Sequence, residues 1–307
     1  MDELKWATTC FMMATPEVAR CPPAPAHALL PAIMKRTTFS NIVTRGLSLV
    51  KPAAGAPDRD TEAEARFETD TDANLYRGVF ATWDEAVASA PPSRPLGYDN
   101  PESAELYLRL LSVGDWDYPA MFWINDAVAG GARRFADIGG SVGIKFFAFR
   151  KFVKFPPDLC WRVIDVPAVV ARGREFAAQR GVAGTLEFTE RIDDIDDIDV
   201  LLASGALQYL PETLPDVLRR HARRPRRVVI NTAAFHDSPD FFTLNSVGTA
   251  FCPYRVQNTE AFVAAMAGLG YRLRDQWRNL DKPMHIPFHP ERSLKSYTGF
   301  CFDAAES

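Results

Sequence analysis

FADIGGSVG, residues 135–143, combines a short apolar run, an acid and a glycine-rich turn. Glycine lets the backbone turn tightly and lets a ligand approach the main chain closely. The helix predicted to follow, over 142–153, presents free N–H groups at its start, and these attract anionic groups. The stretch therefore predicts a strand, a turn and a helix. The turn is either a ligand-binding site or a purely structural connection.

From residue 134 onward the chain alternates short apolar runs with helical segments. The predicted strands are 135–138, 161–165, 185–188, 199–204 and 227–232, and the helices between them are 142–153, 166–180 and 212–223. This order is typical of an α/β fold, and we predict a Rossmann-like seven-stranded, mostly parallel sheet. The runs 271–277 and 296–302 have only a polar loop between them, which predicts an antiparallel last strand.

The segments before this sheet predict two smaller parts. Residues 1–60 are rich in Pro and Ala and lack periodicity, so we predict a poorly ordered N-terminal extension, with Met34 as the natural start. Over 61–130, apolar residues three and four apart predict a helical cap, with helices near 74–87, 105–113 and 119–128. Residues 131–307 form the predicted ligand-binding domain.

Composition excludes several classes of partner. The net charge of -4 gives no support to a nucleic-acid partner. The chain has no run of about 18 apolar residues, so we expect no membrane span, and the start lacks the pattern of a secretory signal. The five cysteines are scattered and form no metal-binding pattern, which favours reduced thiols in a cytoplasmic protein and no bound metal.

A second acid narrows the choice of ligand. Asp165 ends the strand predicted at 161–165, where an acid can bind both hydroxyls of a ribose or simply cap the next helix. The nicotinamide fingerprint G-x-G-x-x-G fails, because serine and isoleucine occupy 141 and 144. The pattern acid-x-G-x-G-x-G matches at Asp137, Gly139 and Gly143, with Ser141 replacing the middle glycine. This favours S-adenosyl-L-methionine as the cofactor.

The strand predicted at 199–204 ends in small residues, and polar residues follow it in the chain. Ser204 and Gly205 leave room for a sulfonium at the carboxyl edge of the sheet, where ligands bind in open α/β folds. Gln208 and Tyr209 follow and would face the acceptor, although Tyr209 can equally be a packed aromatic residue.

Histidine is the usual general base for removing a proton from a hydroxyl. His236 follows the predicted strand VVINT and is the candidate base, against the reading of a plain loop residue. His285 and His289, in the loop before the last strand, are further candidates. The aromatic loop predicted at 241–257 is too long for a simple connector and is expected to form a wall of the acceptor site.

Six arginines crowd the junction between the helix predicted at 212–223 and the next strand. They are Arg219, Arg220, Arg223, Arg224, Arg226 and Arg227. Positive charge suits a helix C-terminus, so a solvated face is one interpretation. Docking to a lipid-linked or phosphorylated glycan is the other.

Four segments resemble a family of methyltransferases. They are FADIGGSVG, WRVIDVP, SGALQYLP and the upstream DYPAMFW, and the resemblance covers roughly residues 74–303. Members of the family look like class I adenosylmethionine-dependent enzymes and are often associated with cell-surface polysaccharide gene clusters. In this family the turn reads G-G-S-x-G, so Ser141 is typical of it. The resemblance implies the fold and the cofactor, and it does not name the acceptor.

The residues and the resemblance together predict an adenosylmethionine-dependent methyltransferase acting on a small-molecule or saccharide acceptor, through oxygen. The expected cofactor-binding residues are Asp137, Gly139, Gly140, Ser141, Gly143, Asp165, Ser204 and Gly205. The expected catalytic residues are His236, Tyr209 and Gln208. A relative that binds the cofactor or a partner without turnover remains an alternative, as does a nicotinamide enzyme.

Overall fold

Strands and helices alternate through the computed structural model, which describes residues 58–100, 102, 105, 111–193 and 197–305. The strands in the described ranges are β1 Leu75–Phe80, β2 Arg134–Ile138, β3 Cys160–Ile164, β4 Leu186–Thr189, β5 Val200–Ser204, β6 Arg227–Ala233, β7 Phe235–His236, β8 Phe241–Val247, β9 Ala250–Asn258, β10 Tyr271–Asn279 and β11 Tyr297–Ala304. The helices there are α1 Arg59–Arg66, α2 Trp83–Ala88, α3 Tyr118–Ala129, α4 Ile144–Phe149, α5 Pro167–Gln179, α6 Leu214–Arg219 and α7 Thr259–Gly268.

Seven strands form the main sheet in the order β10-β11-β6-β5-β2-β3-β4. Strands β2 to β6 pair in parallel, whereas β11 is antiparallel to both of its neighbours. The carboxyl ends of the parallel strands therefore meet at one edge of the sheet. The predicted α/β, Rossmann-like seven-stranded sheet with an antiparallel last strand is confirmed.

Strands β2, β5, β6 and β11 of the main sheet are buried on both faces, which explains why they are largely apolar runs, whereas the edge strand β10 is mostly exposed. Successive side chains of a strand point to opposite faces, so Val200 and Leu202 of β5 pack with α3, α4 and α5. Leu201 and Ala203 of the same strand pack with α6 and α7 on the other face. The two apolar layers hold the carboxyl edge in place.

A second sheet, which the sequence did not predict, has the order β1-β8-β9-β7. The helix predicted over 74–87 is wrong in its first half, because residues 75–80 form β1 and only Trp83–Ala88 is helical. Gly78 has a φ of +73°, and the pairing with β8 shifts register there. This bulge interrupts the alternation of the strand, so Tyr76, Val79 and Phe80 imitate helical spacing.

The stretch 241–257 is a β-hairpin rather than a loop. Strands β8 and β9 pair antiparallel up to Val247 and Ala250, which leaves a two-residue turn. Almost every residue of both strands is buried, so neither shows the polar alternation that marks a half-exposed strand. Its predicted role as a wall of the acceptor site stays a prediction.

Other expectations for the N-terminal part fall largely outside the described residues. The predicted poorly ordered extension over 1–60 lies outside them up to residue 57, as does Met34. Most of the helix predicted at 105–113 also lies outside them. The domain boundaries at 60 and 130 stay predictions.

Candidate functional site

The turn between β2 and α4 has an alternating backbone. Gly139, Ser141 and Gly143 have φ angles of +64°, +55° and +89°. The left-handed conformation costs a residue with a side chain about 1–2 kcal/mol, so glycine is favoured in such a turn. Ser141 therefore adopts the conformation that the pattern acid-x-G-x-G-x-G normally gives to glycine. Ser141 departs from the pattern in residue type but keeps a left-handed backbone between two left-handed glycines.

Neighbouring groups pack closely against the three glycines of the turn. A Cβ atom on Gly139 would lie 2.5 Å from Cβ of Ala206, and one on Gly140 would lie 2.5 Å from Oδ2 of Asp137. A Cβ atom on Gly143 would lie 2.7 Å from Cδ2 of Leu186. The turn is thus held against its own strand, against β4 and against the segment after β5.

We expect Gly143→Ala to lower the free energy of unfolding by about 3 kcal/mol, because it adds both overpacking and left-handed strain. Gly181→Ala is the matched control: Gly181 has a φ of +65°, and a Cβ atom there would meet nothing within 4 Å. The control should lose about 1 kcal/mol, from backbone strain alone. Urea unfolding measures both values, and equal losses would contradict the close packing at Gly143.

Asp137 is a buried acid beneath the turn. Its Oδ2 accepts a hydrogen bond from Nε1 of Trp161 at 3.1 Å, whereas its Oδ1 has no hydrogen-bond partner among the described residues. Burial raises the pKa of Asp137 to about 7, although the Trp161 hydrogen bond and the charge of Lys145 oppose the shift. Asp137 is therefore an acid poised between its neutral and charged forms near neutral pH.

Asp165 links the end of β3 to the turn. Its Oδ2 accepts from the backbone N–H of Ser141 at 2.8 Å, and its Oδ1 accepts from that of Val166 at 2.8 Å. Burial raises the pKa of Asp165 to about 6. A carboxylate has about four acceptor positions, so both oxygens can still bind hydroxyl groups. The N-cap of α5 is Val166, so the predicted capping role of Asp165 is wrong by one residue.

The end of β5 leaves space beside the turn. A Cβ atom on Gly205 would meet nothing within 4 Å, and Oγ of Ser204 accepts a long hydrogen bond of 3.4 Å from Asn231. Gln208 is buried, and its Nε2 donates to the carbonyl of Thr232 at 3.4 Å. Its Oε1 and Oγ of Ser141 are buried polar atoms without a hydrogen-bond partner among the described residues.

Unpartnered buried polar atoms cost free energy and are rare in folded proteins. Three of them, on Asp137, Ser141 and Gln208, belong to segments at the carboxyl ends of β2 and β5. A polar ligand bound at this edge would supply the missing partners.

The other predicted catalytic residues are tied to the second sheet. The hydroxyl of Tyr209 donates to Oδ1 of Asn245 at 3.0 Å, and its ring contacts Tyr254 edge-on. Nδ1 of His236 accepts from the backbone N–H of Ser238 at 2.9 Å. In the neutral ring Nδ1 is therefore the acceptor and Nε2 carries the proton, so a hydroxyl proton has to be taken up at Nδ1, in place of the contact with Ser238. The glycine turn contacts both Asp165 and the segment after β5. The described hydrogen bonds of His236 do not reach any of these three parts of the site.

Each of the remaining histidine candidates lies beside a carboxylate. Nε2 of His285 lies 2.7 Å from Oδ1 of Asp60, which ties the loop before β11 to α1. Nδ1 of His289 lies 3.6 Å from Oε1 of Glu291. Both contacts favour a role in holding the loop.

A buried polar network at the same edge was missed by the sequence reasoning. Asp117, which is 1% exposed, precedes α3, and its Oδ1 lies 2.7 Å from Nζ of Lys145 in α4. Nδ2 of Asn231 in β6 donates to the same oxygen at 3.1 Å, and the N–H of Gly114 donates to Oδ2 at 3.1 Å. The one sequence signal was a polar residue, Asn231, inside the apolar run VVINTAAF.

The network continues to the end of β10. Oδ1 of Asn231 accepts from Nε1 of Trp277 at 3.1 Å, and Nδ2 of Asn279 donates to Oγ1 of Thr232 at 3.1 Å. Thr232 has a φ of +53°, a strained conformation for a β-branched residue. Strain of this kind is concentrated at functional sites, which makes the ends of β6 and β10 part of the candidate site.

Five of the six arginines of the cluster pair with carboxylates among the described residues. Arg220, Arg223 and Arg226 each pair with carboxylates, and Arg224 donates to the carbonyl of Leu269. Arg219 pairs with Asp216, and Arg227 pairs with Asp126 and Asp303. These contacts favour the solvated face over a docking site for a phosphorylated glycan.

The described residues contain neither a candidate metal site nor a membrane-spanning helix. Within those ranges no group of three or more His, Cys, Asp or Glu side chains is placed to hold a metal ion. The helices there are also too short or too polar to cross a membrane.

Comparisons with known proteins give only distant likenesses. No family model matches the chain, and no curated protein matches it. Among solved structures, 1,6-didemethyltoxoflavin-N1-methyltransferase from Burkholderia thailandensis, with bound S-adenosylhomocysteine, is 17% identical over 62% of this chain and 79% of its own, with a TM-score of 0.42. An O-methyltransferase family protein from Burkholderia thailandensis is 14% identical over 81% of this chain and 70% of its own, with a TM-score of 0.44. At such low identity and TM-score, the likeness decides neither the cofactor nor the reaction.

Proposed function

We propose that the chain is a cytoplasmic adenosylmethionine-dependent methyltransferase that acts on a small-molecule or saccharide acceptor, through a hydroxyl oxygen. The observation that carries the proposal is the contact between Asp165 and the turn. The N–H of Ser141 donates to Asp165 at 2.8 Å, so the glycine turn and the acid at the end of the neighbouring strand form one cradle. This combination suits a ligand with both a ribose and a zwitterionic end.

The cofactor would be held by the residues of this cradle. Asp165 would bind the ribose hydroxyls through its remaining acceptor positions. Gly139, Gly140, Ser141 and Gly143 would hold the methionine end, together with Asp137 beneath them. Unpartnered Oδ1 of Asp137 and Oγ of Ser141 fit a ligand that brings an ammonium and a carboxylate group. When bound, the cofactor supplies an electrophilic methyl group.

On the acceptor side the chain has to orient a nucleophile and take up its proton. Ser204 and Gly205 would leave room for the sulfonium, and a Cβ atom on Gly205 would meet nothing within 4 Å. Gln208 and Tyr209 would orient the acceptor, and His236 would take the proton of its hydroxyl on Nδ1, the ring atom that carries the lone pair.

Titration calorimetry with S-adenosylhomocysteine tests the proposal. We expect micromolar binding to the wild type and about 100-fold weaker binding to Asp165→Ala, since two hydrogen bonds to a charged acceptor are lost. Asp165→Asn keeps one acceptor for the N–H of Ser141 and should lose about 10-fold. The control is Asp158→Ala, because the Asp158 side chain is 71% exposed and pairs only with Arg133 among the described residues.

The outcomes separate the alternatives. If neither adenosylmethionine nor S-adenosylhomocysteine binds the wild type, the cradle is not a cofactor site and the proposal fails. If both bind and acceptor screens give turnover that is lost in His236→Ala or Tyr209→Phe, the acceptor-side assignments are supported. Wild-type rates in both variants would remove those assignments.

A further inference from the structure

Two lysines, Lys145 and Lys282, interact with the charge of one carboxylate, Asp117. Nζ of Lys145 is 2.7 Å from Oδ1 of Asp117. Lys282 lies in the loop after β10. Burial and the charge of Lys145 lower its pKa, whereas the charge of Asp117 raises it. No carboxylate among the described residues lies within ion-pair distance of Lys282. Lys282 is therefore a cation of this cluster without an ion-pair partner among the described residues.

Asp117 is already engaged and cannot pair fully with a second ammonium group. Its Oδ1 accepts from Lys145 and Asn231, and its Oδ2 accepts from the N–H of Gly114. Lys282 is half-buried, and burial together with Lys145 lowers its pKa. A half-buried cation without an acid costs free energy, and an anionic ligand would remove that cost.

One exposed aromatic side chain contacts this cluster, and two more exposed residues are its neighbours in sequence. Nζ of Lys282 lies 4.7 Å from the ring centroid of Trp116, a cation–π contact. Trp116 and Tyr118 flank the buried Asp117 in the chain and are 36% and 53% exposed, and Leu280, near Lys282, is 74% exposed. Binding sites commonly combine such apolar surface with one or two charged groups. The arrangement suits a flat organic molecule that carries an anionic group.

We infer that Lys282, with Lys145 behind it and Trp116 beside it, binds a carboxylate or phosphate group of the methyl acceptor. The inference rests on the proposed function and names the chemical class of its substrate. Lys145 stands two residues after Gly143, on the cofactor side of the cluster, whereas Lys282 follows β10, which lies beyond β6 from Asp165 in the sheet order. The exposed ring of Trp116 beside Lys282 supports the acceptor, rather than the methionine end of the cofactor, as its ligand.

Matched small anions test the inference by titration calorimetry, with and without saturating S-adenosylhomocysteine. The probes are benzoate, phenyl phosphate and the neutral benzamide. We expect at least one anion to bind the wild type about 10-fold more tightly than benzamide, because a charge-assisted hydrogen bond is gained. Lys282→Met should remove that preference. The control Lys295→Met, an exposed lysine of the same loop, should keep it. The tighter of the two anions identifies the group on the acceptor.

Equal binding of benzoate, phenyl phosphate and benzamide to the wild type would overturn the inference, as would an unchanged preference in Lys282→Met. Lys282→Gln serves as a second variant if Lys282→Met does not fold. If Lys282→Met weakens S-adenosylhomocysteine but not methylthioadenosine, which lacks the methionine carboxylate, the lysine serves the cofactor and the inference is overturned. If S-adenosylhomocysteine does not bind the wild type at all, the proposed function fails. The titrations without it then decide whether the anion site exists.

Discussion

Asp137 alone is expected to lower the free energy of unfolding by about 4 kcal/mol as the pH rises from about 4 to about 8. Its pKa is raised to about 7 in the folded protein, chiefly by burial, whereas an aspartate of an unfolded chain titrates near 3.9. Below about pH 4 Asp137 is protonated in both the folded and the unfolded state, so it adds no pH dependence to the free energy of unfolding. Between these pKa values the folded state binds more protons than the unfolded state, so stability falls as pH rises.

Asp137→Asn isolates this effect, because asparagine keeps an acceptor for Trp161 and does not ionise. The variant should match the wild type near pH 4 and become more stable than it by about 4 kcal/mol at pH 8. Urea unfolding across this range measures the difference between the two proteins. Asp158→Asn, at a carboxylate that is 71% exposed, is the control and should show no such trend. A difference for Asp137→Asn that stays constant with pH would contradict the burial of a titrating carboxyl group.

Asp117→Ala is expected to lower the free energy of unfolding by about 4 kcal/mol, because removal of one partner leaves a buried charge unpaired. The side chain of Lys145 is only 15% exposed, so water replaces the lost carboxylate poorly. Asn231 and the N–H of Gly114 lose an acceptor in the same variant. Unsatisfied donors add to the loss.

Urea unfolding tests this expectation against Glu175→Ala, which removes an exposed partner of Arg172 and should change stability by less than about 0.5 kcal/mol. Adding Lys145→Met to Asp117→Ala removes the unpaired charge and should restore part of the stability. A loss below about 1 kcal/mol in Asp117→Ala would show that the ion pair is well solvated.

Most of the main sheet could be predicted because each of its strands has a local signature. A strand buried on both faces, such as 200–204, is a continuous apolar run. The glycine-rich turn at 139–143 indicates a strand before it and a helix after it. The second sheet lacked such signatures. The bulge at Gly78 gave β1 a helical spacing, and the buried hairpin of β8 and β9 showed no alternation.

The same reasoning explains which parts of the site could be predicted. Asp165 and Ser141 meet because adjacent parallel strands end at one edge, so their contact follows from topology. Asp117 meets Lys145 at a separation of 28 residues and Asn231 at one of 114 residues. No local spacing encodes such contacts, since they depend on how α3 and α4 lie over the sheet.

The pairing of β1 has a consequence for the order in which the chain folds. Asn245 donates to Asn74, 171 residues earlier, across the junction of β1 and β8. Closing so long a loop costs entropy before any contact repays it, and contacts of this range slow folding. During synthesis from the N-terminus, β1 leaves the ribosome long before its partner strand exists. The second sheet is therefore completed late, and until then β1 is an unpaired strand whose exposed edge must be kept from other chains.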